Sequence, residues 1–345
     1  MTTYDLVLIG YGNVAKRFAG LLHEQRQILA RDYGIRARIV GITTRHHEQA
    51  YGGDVVSGFS RTPPGPPKGG HYIPTRAFLA DALKRSAAAA RQRRLVVVET
   101  TTLDIEKGEP AIGHIRAALA GGAHVITANK GPVAFAYGAL ARAAARAHRR
   151  FLFEGAVMDG VPIFNLVRET LPAVRINGFR GVVNSTTNFI LTAMEQGAAF
   201  DAALAEMQAR GIAEADASLD IDGWDAAAKT AALANVLLGA NITPQMVDRQ
   251  GISAASGRLA RDARSAGRRL KLIAQARRVG RGVTARVAPE TLPGDDLLAG
   301  VEGQQNALIL ETDLLEEIAI IQRSGSLTQT AYALLSDLVT IARPA

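Results

Sequence analysis

The apolar run from Leu6 to Ile9 stops at Gly10-Tyr11-Gly12-Asn13-Val14-Ala15, after which Val14, Phe18, Leu21 and Leu22 recur at helical spacing. This rhythm predicts a buried strand over 5–9, a tight turn and an amphipathic helix. The same signals predict strands over 37–42, 95–98, 124–127 and 151–154, with helices over 112–119 and 139–150 between and after them. Strands alternating with helices imply a mostly parallel sheet. Beyond Phe151 the pattern changes. A helix should end near Arg168, and 176–183 alternates like a strand open on one face. A further helix should open at Phe189, followed by strands over 283–287 and 317–321. A terminal helix over 331–341 should fold back on the first domain. The fold class read here is α/β: a Rossmann-type dinucleotide-binding domain of 1–153 with 305–345, and a second α/β domain of 154–304.

One stretch breaks the rules of a simple core. Glu214, Asp216, Asp220, Asp222 and Asp225 crowd together just before an almost wholly apolar run, 226–238, that carries a single cation, Lys229. Asp222 reads as an N-cap with Asp225 as its capping-box partner, so a helix should begin near Gly223. Its Ala, Leu and Val residues occupy nearly every face, which predicts burial. Burying a lysine is costly without a partner, and favours its neutral, proton-exchanging form. Asp225 stands four residues before Lys229 in the order that suits a pair. The segment alone leaves two readings open, an acid/base lysine or an ordinary helical ion pair.

Composition narrows the class. The 345 residues suit two domains, and 48% hydrophobic with 21% charged residues describes a globular chain with a substantial core. The absence of cysteine excludes disulfides and thiol chemistry and suits a reducing cytoplasm. The N-terminus lacks the basic start of a signal peptide, and no apolar run reaches the roughly 18 residues of a membrane span. A soluble cytoplasmic protein is the expectation. The net charge of +8 gathers between Arg258 and Arg286. Leu259, Leu270, Leu272 and Ile273 interleave with those arginines like a helix core face, and no stacking aromatics accompany them. A solvated face is therefore expected rather than a nucleic-acid surface.

The first turn matches G-x-G-x-x-G/A in its required setting, strand before and helix after. Gly10 serves the turn, Gly12 the approach of a pyrophosphate, and Ala15 close helix–strand packing, with Asn13 and Val14 at the helix start. The second strand ends in Thr43-Thr44-Arg45, where an NAD site usually places an acid. Arg45 instead suits a 2′-phosphate and points to NADP, with NAD possible. Thr100 and Thr101, after Glu99, and Lys130, after Asn129, leave the sheet at the same ligand-binding edge. The turn Asn184-Ser185-Thr186-Thr187-Asn188 opens a helix and suits a carboxylate, or serves as plain capping.

Taken in order, these segments resemble homoserine dehydrogenase over most of the chain. The matching stretches are the Gly10–Ala15 turn, 108–112, 127–133, 154–162, 184–191 and 211–229. The resemblance implies that Lys229 is the acid/base group, assisted by Lys130 and oriented by Asp225. It further implies that Glu214 and Asp220 hold the substrate's amino group, while the helix start carrying Asn184 and Thr186 suits its carboxylate on chemical grounds. A monovalent cation such as sodium would rest on backbone carbonyls of Glu154, Val157, Asp159 and Val161. The second domain would be catalytic and dimerising, the protein a homodimer, and the length leaves no room for the ACT domain some members append. Before the terminal helix, members usually have Gly-Pro-Gly-Ala-Gly. Here Gln322-Arg323-Ser324-Gly325-Ser326 stands instead, with Gly325 as the remaining candidate cofactor contact.

The chemistry of the residues agrees with that resemblance. Interconverting L-homoserine and L-aspartate 4-semialdehyde needs a hydride carrier and a group exchanging the oxygen's proton. Two lysines near one oxygen lower each other's pKa. The altered loop keeps open a relative acting on another amino alcohol or aldehyde. A non-catalytic NADP(H)-binding regulatory protein is a third reading, opposed by retention of both lysines.

Overall fold

The computed structural model describes residues 1–44, 50–51, 75–88, 93–209 and 216–343. They form two compact units, Met1–Pro162 with Ser326–Ala345, and Ile163–Gly325.

In the first unit, strands β1 (Thr2–Ile9), β2 (Ile35–Thr43), β3 (Ala50–Tyr51), β4 (Arg93–Glu99), β5 (His124–Thr127) and β6 (Phe151–Leu152) make one sheet in the order β3-β2-β1-β4-β5-β6. All pairs are parallel except β2 with the two-residue β3. Central parallel strands are covered on both faces, which is why β1 and β4 read as unbroken apolar runs. Helices α1 (Asn13–Glu24), α2 (Arg26–Tyr33), α3 (Thr75–Ala88), α4 (Ala111–Ala120) and α5 (Lys130–Arg146) connect them. From α1, Ala15, Phe18, Ala19, Leu21 and Leu22 are buried against Leu6, Leu8 and Ile42. The helix α5 begins nine residues before the predicted 139, because the side chain of Asn129 accepts the Gly131 N–H and caps it at Lys130. The strand predicted over 151–154 ends at Leu152, and Glu154–Ala156 coils into a 3₁₀ turn.

The second unit holds α6 (Phe164–Thr170), β7 (Ile176–Val182), α7 (Ser185–Glu195), α8 (Phe200–Ala209), α9 (Ser218–Ile221), α10 (Trp224–Leu237), β8 (Asp248–Arg249), α11 (Ala254–Ser265), β9 (Arg268–Val279), β10 (Gly282–Pro293), β11 (Asn306–Thr312) and β12 (Glu317–Gln322). Its sheet runs β12-β11-β7-β9-β10-β8, antiparallel save for β10 with β8. The long hairpin β9–β10 corrects the helical reading of the basic stretch. Leu270, Leu272 and Ile273 lie on a strand, and Leu259, on α11, is exposed. Successive residues from Leu270 to Ala274 are buried because elements pack on both faces of β9, so the alternation that marks a strand is lost there. Several arginines of that stretch are held by carboxylates of the same unit: Arg269 by Glu195, Arg277 by Glu311, and Arg286 by Asp248 and Glu290.

Strands β11 and β12 also correct the domain reading. The sequence places them, within 305–345, in the dinucleotide domain, yet β11 pairs with β7 and β12 with β11, extending the second sheet. The final helix α12 (Leu327–Ala342) belongs to the first unit. Ala331, Leu334, Leu335, Leu338 and Ile341 enter the same core as Phe18 and Leu22.

Candidate active site

In the first unit the glycine turn has the form a dinucleotide requires. Gly10 adopts φ +89°, and a Cβ there would stand 2.9 Å from the Thr100 carbonyl carbon, so only glycine fits. A Cβ on Gly12 would meet nothing within 4 Å, which leaves its backbone open to an incoming phosphate. No side chain caps α1, so the N–H groups of its first turn, from Asn13 and half-buried Val14 onward, remain available to an anion. Thr100 closes the floor of the turn, its N–H donating to Ile9 O at 2.8 Å and its hydroxyl to Gly10 O at 3.2 Å. Thr101 donates both N–H and hydroxyl to the Glu99 carboxylate. Lys130 is half-buried at the first position of α5. Arg45 lies outside the described residues.

The segment 154–161 also belongs to this unit. Asp337 of α12 accepts the Glu154 N–H at 2.9 Å, and Thr330 donates to the Asp159 carboxylate at 2.9 Å while Asp159 sits at φ +48°. The turn's own N–H groups engage the carbonyls of Phe153 and Met158. The carbonyls that the resemblance assigns to a cation, those of Glu154, Val157, Asp159 and Val161, belong to this same segment, and oxygen donors of this kind suit a hard ion. Among the described residues, no group of three His, Asp or Glu side chains is arranged to hold a metal.

In the second unit the acidic cluster and the lysine come together. Lys229 Nζ lies 2.9 Å from Asp225 Oδ2 and donates to Val183 O at 2.8 Å. Both side chains are about 15% exposed, at 16% and 15%, so the pair is neither dry nor freely solvated. Lys229 is therefore not a lone charge in an apolar helix. Its neighbours Ala226, Ala227, Ala228, Ala231 and Ala232 are all buried, so the ammonium has one polar wall. Asn184 ties the wall together, donating to Asp220 Oδ1 at 2.7 Å and Asp225 Oδ2 at 2.9 Å. Its own oxygen accepts the Thr187 N–H and hydroxyl, so α7 starts at Ser185 rather than Phe189. Every polar atom of the Asn184 amide is thus engaged inside the cluster. There it holds the carboxylates of Asp220 and Asp225 in place. The buried Thr186 bonds Asp220. Burial first, and the Asp225 charge second, push the Asp220 carboxyl up from the usual range, against Asn184, Lys229 and Thr186.

The predicted capping box at Asp222 does not form. Asp222 has helical φ/ψ and ends α9, whereas an N-cap needs an extended backbone. Gly223, at φ +80°, makes the break and α10 begins at Trp224. Glu214 lies outside the described residues. Of the loop expected to approach the cofactor, Gln322 is the last residue of β12, buried and bonded to Asn306 at 2.8 Å, while Ser326 caps α12. Arg323, Ser324 and Gly325 are exposed. Two polar partners escaped the sequence reading: the Val183 carbonyl, invisible to side-chain patterns, and Glu99. An acid closing the apolar run Leu95–Val98 was the available signal for the latter.

Comparison with known proteins agrees with both halves. Residues 10–154 match the family model described as "Homoserine dehydrogenase, NAD binding domain" and residues 162–339 that described as "Homoserine dehydrogenase". The chain is 37% identical to the NAD(+)-dependent homoserine dehydrogenase of Pseudomonas canavaninivorans, over 99% of this chain and 97% of the relative. It is 35% identical to the homoserine dehydrogenase of Methanocaldococcus jannaschii, over 98% of each. The crystal structure of a homoserine dehydrogenase from Thiobacillus denitrificans superposes with a TM-score of 0.82 at 31% identity, covering 99% of this chain and 74% of that one.

Proposed function

We propose, for a chain that belongs to the homoserine dehydrogenase family and is an oxidoreductase of homoserine with a nicotinamide cofactor, that Lys229 exchanges the proton of the reacting oxygen. The observation that carries this is the placement of Lys229 Nζ between Asp225 and the Val183 carbonyl, on an alanine-walled helix. When bound, the nicotinamide takes a hydride from the alcohol carbon of L-homoserine, or returns it to L-aspartate 4-semialdehyde. Lys229, as the amine, accepts the hydroxyl proton during oxidation and donates it during reduction. Asp225 fixes the direction of Nζ, and Asn184 fixes Asp225. Asp220 and Glu214 receive the substrate ammonium, and Lys130 supplies a second positive charge at the oxygen. The opened Gly12 turn and the first N–H groups of α1 hold the pyrophosphate. Gly325, one residue before the cap of α12, is the loop's remaining cofactor contact. Backbone carbonyls of Glu154, Val157, Asp159 and Val161 would hold the monovalent cation, which supplies a fixed positive charge.

Lys229→Ala should lower kcat by about 10²–10⁴-fold, the usual worth of a positioned acid/base, with cofactor affinity unchanged. Near-normal kcat would leave Lys229 a structural partner of Asp225. Arg45 supports NADP(H), and likeness to an NAD(+)-dependent relative supports NAD as the second reading. Comparing kcat/KM for the two cofactors in wild type and Arg45→Asp decides between them: the charge reversal should favour NAD. A homodimer is supported by the resemblance and by the apolar Leu314, Leu315 and Ile321 exposed about the end strand β12. The cytoplasm is supported by the lack of cysteine. Among the described residues no helix is long and apolar enough to cross a membrane.

A further inference from the structure

The carboxyl group of Glu99 is wholly enclosed at the end of β4, and neither the hydride nor the proton transfer uses it. Its Oε1 accepts the Thr101 N–H at 2.8 Å together with the Thr101 hydroxyl, and its Oε2 accepts the Thr127 hydroxyl at 2.7 Å. Thr127 Oγ1 in turn accepts the Asn129 N–H at 2.9 Å, and Asn129 caps the helix whose first residue is Lys130. The Asn129 amide also donates to Thr102 O at 3.4 Å, so the two loops are tied to each other as well as to Glu99. Thr100, between them, bonds back to the glycine turn. One buried side chain is thus the common anchor of the threonine loop and, through Thr127, of the start of the lysine helix.

A buried carboxylate is an expensive anchor. Burial pushes Glu99 up from the usual range, and the bonds from Thr101 and Thr127 only oppose that shift. The acid is matched to its surroundings, because the Thr101 N–H and the Thr101 and Thr127 hydroxyls all donate to it and a carboxylate accepts on both oxygens at once.

We infer that Glu99 is a positioning residue for the redox reaction: its carboxylate sets the backbone at Lys130 and at Thr100–Thr102 on the cofactor edge of the sheet. This rests on the role given to Lys130 above. Glu99→Gln keeps the shape but turns one acceptor into a donor, facing either the Thr101 N–H or the Thr127 hydroxyl. Homoserine oxidation by this variant should lose kcat on the order of 10²-fold, the cost of an ångström-scale misplacement, with KM for homoserine unchanged. The pH dependence of its kcat should move as well. Thr127→Val cuts only the second arm at constant volume and should reproduce the kcat loss. The double variant should be no worse than Glu99→Gln, because both changes break one path. Wild-type kcat and pH profile in Glu99→Gln would overturn the inference. If that variant does not fold, Thr127→Val decides, and wild-type kcat there overturns it equally. Lys130→Ala, assayed alongside, separates the two readings. Activity lost there but intact in Glu99→Gln rejects the positioning role alone. Full activity in Lys130→Ala rejects the role of Lys130, and with it this inference.

Discussion

Asp220 shows what the second unit gives up to keep its acidic wall. Its folded-state pKa lies above that of an unfolded aspartate, because burial and Asp225 both disfavour the charge. A group of this kind leaves stability intact below its unfolded pKa and removes it as pH rises through the folded value. Asp220→Asn should therefore melt higher than wild type near neutrality, with the gap closing toward pH 4, while KM for homoserine rises. Thermal melts across that pH range, beside steady-state kinetics, test both halves. A variant less stable at neutral pH would mean that its bonds to Asn184 and Thr186 outweigh the charge cost. Asp225→Ala should go the other way. An exposed i,i+4 pair is worth about 0.3–0.5 kcal/mol, whereas stripping a partner from a fully buried ion costs about 3–5. At 15% exposure Asp225 falls between those limits, so urea melts should show an intermediate loss.

Among the elements, the segment entering α12 is where sequence and family part, and the structure divides its five residues by task. Gln322 bonds Asn306 across the β11–β12 pair and Ser326 caps the helix. Replacing Gln322 with glycine should cost about 1 kcal/mol or more, the usual worth of a satisfied buried bond, whereas Ser326→Gly at the cap should cost only about a few tenths of a kcal/mol. A graft of Pro-Gly-Ala at 323–325 that spares both ends isolates the loop's effect on cofactor affinity and homoserine turnover. Unchanged values would make Arg323–Gly325 a neutral replacement. The elements most legible in sequence were those with one buried face, such as α1, whose Val14–Leu22 spacing stands in the packed core. The pairing within the acidic cluster was legible too, since Asp225 and Lys229 are neighbours on one helix and do pair. What could not be read were contacts between distant segments. The Val183 carbonyl beneath Lys229, and Asn184 binding two carboxylates, join residues some forty positions apart. Helix starts were misplaced where the capping residue was also a tertiary participant: Asn129 and Asn184 cap early. The start near Gly223 was legible, although its cap is Gly223 itself and not Asp222. Burial on both faces of β9 erased the alternation that would have marked it.

For the molecule as a whole, the first unit is assembled from two pieces of chain separated by the entire second unit. Leu334 and Leu338 on α12 are fully buried among Phe18, Ile42 and Val98. Leu338→Ala should cost about 2–5 kcal/mol, as for other fully enclosed leucines, and a urea melt would register it. Order of synthesis gives that seat a further meaning. A chain emerging from the ribosome presents its glycine turn and most of its first sheet long before the helix that completes their core exists. Until the last residues are free, Phe18 and its neighbours face water or a chaperone, the state in which incomplete chains aggregate. The second unit, formed from one continuous stretch, has no such wait. Nascent chains held with Gly325 outside the ribosome and Leu327 onward still inside its tunnel should thus yield a protease-resistant fragment from Ile163–Gly325 and a digestible N-terminal part. Release of the final helix should make the N-terminal part resistant, so that competence to hold a nucleotide is acquired last.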